Sequence, residues 1–102
     1  MIPEKLEAVF LRPGMYVGEP TYEYVTTFID GYHYGRDDTF HTDFKDWLLS
    51  EFKVPSPKGW PWHVVYIFER KHGESFDALT EEQKLEFLHG LLGKYYEGDE
   101  GK

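Results

Sequence analysis

The sequence predicts an all-α protein, a compact bundle of about five helices. Apolar side chains in the first 97 residues recur mostly at intervals of three and four, which is the spacing of amphipathic helices. Residues that start and stop helices separate the apolar segments, so the connections between helices are short. A chain of 102 residues is long enough to form one core. We therefore expect a single helical domain at residues 1–97 and a flexible tail at residues 98–102.

The first two helices are predicted at residues 3–11 and 21–34. Proline is tolerated in the first turn of a helix, so Pro3 can begin the first one. Its apolar face consists of Leu6, Val9 and Phe10. Thr21 has the side chain of an N-cap for the second helix, and Gly35 is placed to end it. The apolar stripe of the second helix consists of Tyr24, Val25, Phe28, Ile29 and Tyr32.

Two further helices have clear boundary signals. One begins after Thr39 and ends before Pro55, because the residue preceding a proline avoids helical geometry. Its core positions are Phe40, Phe44, Trp47, Leu48 and Phe52. The last helix begins with a capping box, in which Thr80 and Gln83 satisfy each other's free backbone donors. Its apolar positions are Leu85, Leu88, Leu91, Leu92 and Tyr95.

Residues 60–73 fit two kinds of secondary structure. The run Val-Val-Tyr-Ile-Phe at 64–68 has the β-branched and aromatic composition of a buried strand. Pro61, by contrast, suits the first turn of a helix, the basic residues at 70–72 suit its last turn, and Gly73 suits its C-cap. A strand here would also lack an obvious pairing partner. The sequence favours a helix, and the alternative is an α+β fold in which residues 62–70 form a strand.

Residues 12–18, RPGMYVG, are similar to the RPGMYIG-type segment near the N-terminus of the ATPase domain in DNA gyrase and related type II topoisomerases. In that family a helix flanks the segment on each side, as predicted here. The family's nucleotide site needs a magnesium-binding asparagine, an Asp-x-Gly and a glycine-rich lid. This chain has no asparagine and no such lid, and Asp30 and Gly31 are adjacent. We therefore interpret the local similarity as non-functional.

The same segment is predicted to be a turn that joins the first two helices. Pro13 and Gly14 suit the two central positions of a type II turn. Arg12 lies at the predicted C-terminal end of the first helix, where a cation is favoured. The side chains predicted to fold back onto the helices are Met15, Tyr16 and Val17.

A second resemblance covers most of residues 1–96. The order of a short helix, RPGMYVG, FIDGYHYG, DFKDWLLSEF, GWPWHVVYIF and a final Phe- and Leu-rich helix is similar to a group of small uncharacterised bacterial proteins that contain RPGMYxG. Some members of that group resemble immunity proteins, which neutralise toxins used between competing bacteria. The resemblance implies inhibition of a toxin, but the group has no motif from which site residues can be carried over.

Composition and charge exclude several classes of function. The net charge of −8 disfavours nucleic acid as a partner, because phosphate neutralisation demands a basic surface. The chain has no cysteine, which excludes disulfides and thiolate chemistry. No apolar run approaches the roughly 20 residues that cross a bilayer, and the start of the sequence does not resemble a signal peptide. We expect a cytoplasmic protein that does not bind membranes.

The candidate binding site combines acidic and aromatic residues. The acidic patch consists of Asp37, Asp38, Asp43, Asp46 and Glu51. It indicates a basic protein partner, and the alternatives are a solvated helix face or a weak metal site with His41. The aromatic anchors for the partner are Tyr32, Tyr34, Trp60 and Trp62. The alternative for the aromatics is that Trp47 and one of Trp60 and Trp62 belong to the core.

The sequence therefore predicts a small acidic protein that binds another protein, specifically an immunity-like inhibitor of a basic toxin. The first alternative is a homodimeric structural or regulatory subunit. A small-ligand binder or an enzyme is a less favoured alternative. No catalytic residues, metal ligands or cofactors are predicted, because no serine lies in a nucleophile-elbow pattern and the histidines are scattered. Glu81 and Glu82 are interpreted as first-turn partners of the helix dipole.

Overall fold

The protein is described from a computed structural model that covers residues 2–11, 21–36, 39–53 and 59–100, with side chains up to residue 97. Within these ranges the chain forms helices and no strand, which confirms the all-α prediction. The helices are α1 (Glu4–Leu11), α2 (Tyr22–Gly35), α3 (Phe40–Phe52), α4 (Trp60–His72) and α5 (Glu81–Glu100), with a 3-10 turn at Phe76–Ala78. The RPGMYVG segment, and with it the predicted turn, lies outside the described residues.

The segment that fitted two kinds of secondary structure is a helix, α4. Gly73 follows it in the left-handed region, with a φ of 70°, and its N–H donates to the Glu69 carbonyl. The buried side chains of α4 recur at helical spacing: Trp60, His63, Val64, Ile67 and Phe68. The β-branched composition of residues 64–68 is therefore overridden by the helix boundary signals and by packing on one side.

The predicted caps of α2 and α5 are also present. The Tyr24 N–H donates to the Thr21 hydroxyl over 3.2 Å. The Gln83 N–H donates to the Thr80 hydroxyl over 3.1 Å, and the Thr80 N–H donates to the Gln83 side-chain oxygen over 3.0 Å. These two bonds form the reciprocal capping box. Helix α5 extends to Glu100, and the division into a domain at residues 1–97 and a flexible tail stays a prediction.

Helix α3 ends at Phe52, with Lys53 as its C-cap, just before the predicted stop signal. The predicted stop at Val54 and Pro55 lies outside the described residues, but Lys53 already has left-handed geometry, with a φ of 55° and a ψ of 54°. Its N–H donates to the Leu49 carbonyl over 2.8 Å and closes the last turn. A lysine therefore takes the C-cap position that glycine usually occupies, and its charge is favourable at this end of the helix dipole.

Contacts between residues divide the chain into two compact units. The first unit, Met1–Ile29 with Leu79–Lys102, contains α1, most of α2 and α5. Its core is aliphatic, and its buried side chains are Ile2, Leu6, Val9, Val25, Ile29, Leu85, Leu88, Leu91 and Leu92. Helix α1 packs against α5, where the His89 ring stacks on Phe10 with ring centres 4.8 Å apart. His89 Nε2 also bonds the Glu7 carboxylate over 2.5 Å.

The second unit, Asp30–Ala78, contains the end of α2, α3, α4 and the 3-10 turn. Its core is largely aromatic. The His33 ring lies parallel to Phe40 with ring centres 4.0 Å apart, and Phe40 and Phe44 both meet the Trp60 ring edge to face. The Trp60 indole N–H donates to the Asp30 carboxylate over 2.7 Å. The ring packing and this hydrogen bond together orient the start of α4.

None of the helices in the described ranges combines the length and the apolar composition that a bilayer span requires.

Candidate functional site

The acidic residues of α3 do not all lie on one face. Asp43 and Asp46 are exposed on the side of α3 that faces away from the buried Phe40, Phe44 and Leu48. We call the exposed pair Asp43 and Asp46 the α3 face. Asp43 accepts a hydrogen bond from the Thr39 hydroxyl over 2.7 Å, so part of its role is local stabilisation of the helix start. Asp46 has no hydrogen-bond or ion-pair partner among the described residues.

The described structure does not place the other predicted acids beside the α3 face. Glu51 is five residues after Asp46, which at about 100° per residue places it about 140° away around the helix axis. It is exposed because α3 ends one residue later. Asp37 and Asp38 lie outside the described residues. Of the five predicted acids, the described structure therefore brings together Asp43 and Asp46.

The predicted aromatic anchors divide into exposed and buried side chains. Tyr34 is 86% exposed and Trp62 is 57% exposed, so both present large apolar area at the surface of the second unit. Tyr32 is half-buried, and the Arg36 guanidinium lies over its ring at 5.4 Å from the ring centre. Tyr34 and Trp62 keep the exposure that an anchor for a partner requires.

Trp60 is not a surface anchor. It is 1% exposed, and its indole N–H is bonded to Asp30 inside the second unit. The reason is its position on α4, where Trp60, Val64 and Ile67 share the buried side of the helix at spacings of four and three. This corrects the assignment of Trp60 to the partner surface.

A further exposed aromatic residue, Tyr66, lies one turn after Trp62. It is 38% exposed, and the spacing of four residues puts both rings on the same side of α4. Tyr66 is one of the aromatic residues that exceed what a five-helix core easily holds, but it is not among the predicted anchors. The spacing from Trp62 through Tyr66 to Glu69 is the signal that identifies an exposed side.

The first unit contains a groove that the sequence reading missed. Its volume is about 440 Å³, and we call it the α1–α5 groove. The described residues that line it are Phe10, Leu11, Glu81, Glu82, Leu85, Glu86 and His89. Leu11, in the last turn of α1, is 74% exposed. The groove combines an apolar lining with three carboxylates.

Two sets of contacts hold the walls of the α1–α5 groove. His89 of α5 is bonded to α1 through the Glu7 carboxylate and the Phe10 ring. At the other end, Glu81 accepts a hydrogen bond from the Tyr22 N–H over 2.7 Å. The Tyr22 amide is the first of α2 and has no partner within its own helix. Glu81 therefore caps α2 from a position 59 residues away in sequence.

The carboxylates of the groove differ in their electrostatic surroundings. Glu81 forms an ion pair with Lys84 over 2.8 Å. The hydrogen bond from Lys84, and after it the Tyr22 N–H, lowers the pKa of the Glu81 carboxyl below its ordinary value. Glu82 and Glu86 are exposed, and among the described residues neither has a hydrogen-bond or ion-pair partner. Like charges four residues apart on a helix repel each other, so this pair is unfavourable in the free protein.

The second unit has a smaller cleft of about 220 Å³. It is lined by Phe52, Tyr66, Ile67, Arg70 and Lys71. The cleft is mainly apolar, and the two cations belong to the last turn of α4, where they are favoured by the helix dipole.

The described side chains also bear on metal binding and on the ionisation of the Tyr22 hydroxyl. No three His, Asp or Glu side chains of the described ranges gather closely enough to hold a metal ion. Burial raises the pKa of the Tyr22 hydroxyl well above its ordinary value.

No protein-family model, no curated protein and no solved structure matches this chain. Its function is therefore inferred from its surfaces.

Proposed function

We propose that the protein binds a basic protein partner and, more specifically, that it is an immunity-like inhibitor of a basic toxin. The observation that carries the proposal is the presence of exposed aromatic rings and exposed acids in one compact unit. Tyr34 and Trp62 are exposed in the same unit as Asp43 and Asp46. Exposed Trp and Tyr are the residues most enriched among interface hot spots. The lack of cysteine fits action in a reducing compartment such as the cytoplasm.

The proposed mechanism has two steps with different physical origins. The net charge of −8 attracts a basic partner at long range, and the α3 face directs it toward the second unit. This step governs the association rate and weakens as salt screens the charges. Burial of Trp62 and Tyr34 then governs the dissociation rate, because large rings bury much apolar area and lose few rotamers.

The binding partner for the experiment is the product of a basic toxin gene beside this protein's gene, and the absence of such a gene counts against the toxin-specific part of the proposal. In surface-based kinetics at low salt, we expect the double substitution Asp43→Lys, Asp46→Lys to lower the association rate about tenfold. We expect Trp62→Ala to raise the dissociation rate about tenfold, the change that a loss of about 1.4 kcal/mol produces. The matched control is Glu4→Lys, Glu97→Lys, which makes the same charge change at exposed positions of the first unit. Equal rates for all variants would contradict the proposal.

A homodimer is the second candidate, and the exposed pair Trp62 and Tyr66 favours it. A second copy can cover these rings as well as a foreign partner can, and the acidic surface then keeps the dimer soluble. Sedimentation velocity at increasing protein concentration separates the two functions. A dimer that Trp62→Ala returns to monomer supports the homodimer, whereas a monomer at about 100 µM, far above the micromolar range of specific association, counts against it.

A further inference from the structure

We infer that the α1–α5 groove is a second binding site, and that its occupant is a cationic amphipathic helix of the partner protein. The groove belongs to the first unit, so it is a different site from the α3 face and the exposed rings of the second unit. The inference rests on the proposed function for the kind of partner. The chemistry of the occupant is derived from the groove alone.

The apolar lining of the groove requires an apolar side chain in the occupant. Phe10, Leu11 and Leu85 line it, and Leu11 keeps 74% of its surface exposed in the free protein. Covering this leucine removes apolar surface from water, which is favourable in proportion to the area covered. The groove volume of about 440 Å³ lies within the usual range of pockets, about 300–1,000 Å³.

The charges on the groove require cations in the occupant. Glu81 is already neutralised by Lys84 and bonded to the Tyr22 N–H, so it contributes little free charge. The positive end of the α5 dipole also offsets charge in the first turn, where Glu81 and Glu82 lie. Glu86 lies beyond that turn. Among the described residues that line the groove, the charges that remain for a ligand are therefore Glu86 and, in part, Glu82.

The spacing of these carboxylates identifies the form of the occupant. Glu82 and Glu86 are four residues apart, so they are separated by about 6 Å along α5. A helix that carries Lys or Arg at positions four apart presents two cations at the same separation. A groove with helical walls accepts the apolar side of such a helix between them. His89 and its bonds to α1 hold the walls before the ligand arrives.

The probe is a synthetic amphipathic peptide of about 14 residues, the length at which an isolated helix begins to be stable. It carries a leucine stripe flanked by Lys residues four apart and a fluorophore for anisotropy. We expect Glu82→Gln, Glu86→Gln to weaken binding about fivefold at low salt, since two exposed ion pairs are lost. We expect Leu11→Ser to weaken it by a similar factor at both low and high salt.

The matched control is Asp43→Asn, Asp46→Asn, which removes the same charge from the second unit. It should change peptide affinity by less than about twofold, because neither residue lines the groove and salt screens charges that do not contact the peptide. Amide shifts in an NMR titration should localise at Phe10, Leu11, Leu85 and His89. A peptide with the same composition in scrambled order should not reproduce them. Circular dichroism confirms that each variant is folded.

Three outcomes overturn the inference. The first is equal weakening by the two double substitutions, which indicates unspecific attraction to an acidic protein. The second is amide shifts outside the groove or no binding of the peptide. The third is self-association of the free protein that Glu82→Gln, Glu86→Gln abolishes, which makes a second copy the occupant. Peptide binding in the groove together with toxin kinetics insensitive to Asp43 and Asp46 contradicts the proposed function and leaves this inference standing.

Discussion

The two compact units bury different kinds of side chain. The core of the first unit is almost entirely aliphatic, with four leucines of α5 against Leu6 and Val9 of α1. The core of the second unit is built from rings that stack or meet edge to face around Trp60. Aliphatic cores tolerate exchanges of similar volume, whereas ring packing depends on orientation and on a partner for each polar atom. The second unit should therefore be the more sensitive to single substitutions.

The largest expected effect comes from Trp60→Ala. It removes the ring that Phe40 and Phe44 contact and leaves the Asp30 carboxylate without its indole donor. We expect a loss of about 3–5 kcal/mol in the free energy of unfolding, measured by urea denaturation. Trp62→Ala is the matched control, because Trp62 is exposed. If the two substitutions destabilise equally, the aromatic core is not what holds the second unit together.

The next effect concerns the cap between α5 and α2 in the first unit. Glu81→Ala leaves the Tyr22 N–H without its acceptor and removes the partner of Lys84, so we expect a loss of about 1–2 kcal/mol. Glu81→Gln keeps an acceptor for the amide and should cost less. Thermal unfolding measures both. Equal losses would show that the charge, and not the cap, is what stabilises the first unit.

The same carboxyl predicts a dependence of stability on pH. Its pKa is lowered in the folded state from the ordinary value of 4.5, so its contribution is fully present above that pH. The contribution is lost as the pH falls from 4.5 through the lower folded-state pKa. The stability difference between the natural chain and Glu81→Gln should therefore shrink over that interval, as urea titrations at several pH values can show. A constant difference would contradict the assignment.

Two glycines give smaller effects of opposite sign. Gly73 has a φ of 70°, which strains any other residue, so Gly73→Ala should destabilise the second unit by about 1 kcal/mol. Gly90 lies inside α5 with open space around it, so Gly90→Ala should stabilise the first unit by about 0.5–1 kcal/mol. Chemical denaturation measures both changes. Destabilisation by Gly90→Ala would indicate a constraint on α5 that its surroundings do not explain.

The smallest expected effect is that of the hydrogen bond between Glu7 of α1 and His89 of α5. Glu7 and His89 are each more than a third exposed, so water screens their interaction. Glu7→Gln should change the free energy of unfolding by about 0.2–1 kcal/mol. Hydrogen exchange in α1 should nevertheless increase, because this contact also anchors the groove wall. Unchanged exchange there would assign the anchoring to the Phe10 ring alone.

Local signals account for the parts of the fold that were predicted correctly. The capping box at Thr80 and Gln83, the N-cap at Thr21 and the C-cap at Gly73 all depend on neighbours within a few residues. Helical spacing also predicts the burial of Trp60, which was assigned wrongly to the partner surface. Trp60, Val64 and Ile67 share one side of α4, whereas Trp62 and Tyr66 share the other.

The groove had no comparable local signal. It depends on Glu81 meeting the Tyr22 amide and on His89 meeting Glu7, pairs separated by 59 and 82 residues. Nothing in the neighbourhood of Glu81 distinguishes a carboxylate that caps its own helix from one that caps another. The exposure of Leu11, by contrast, follows from helical spacing, because it lies two residues after the buried Val9 and therefore on the other side of α1.

The sequence by itself determined the helical class and most of the helix ends, because hydrogen bonds within a few residues control where a helix starts and stops. Tertiary structure alone decided which acids and rings are exposed in the same unit and that α1 and α5 form a groove. Those features require side chains that are distant in sequence to pack together, and only the burial of apolar area across several helices selects such a pairing.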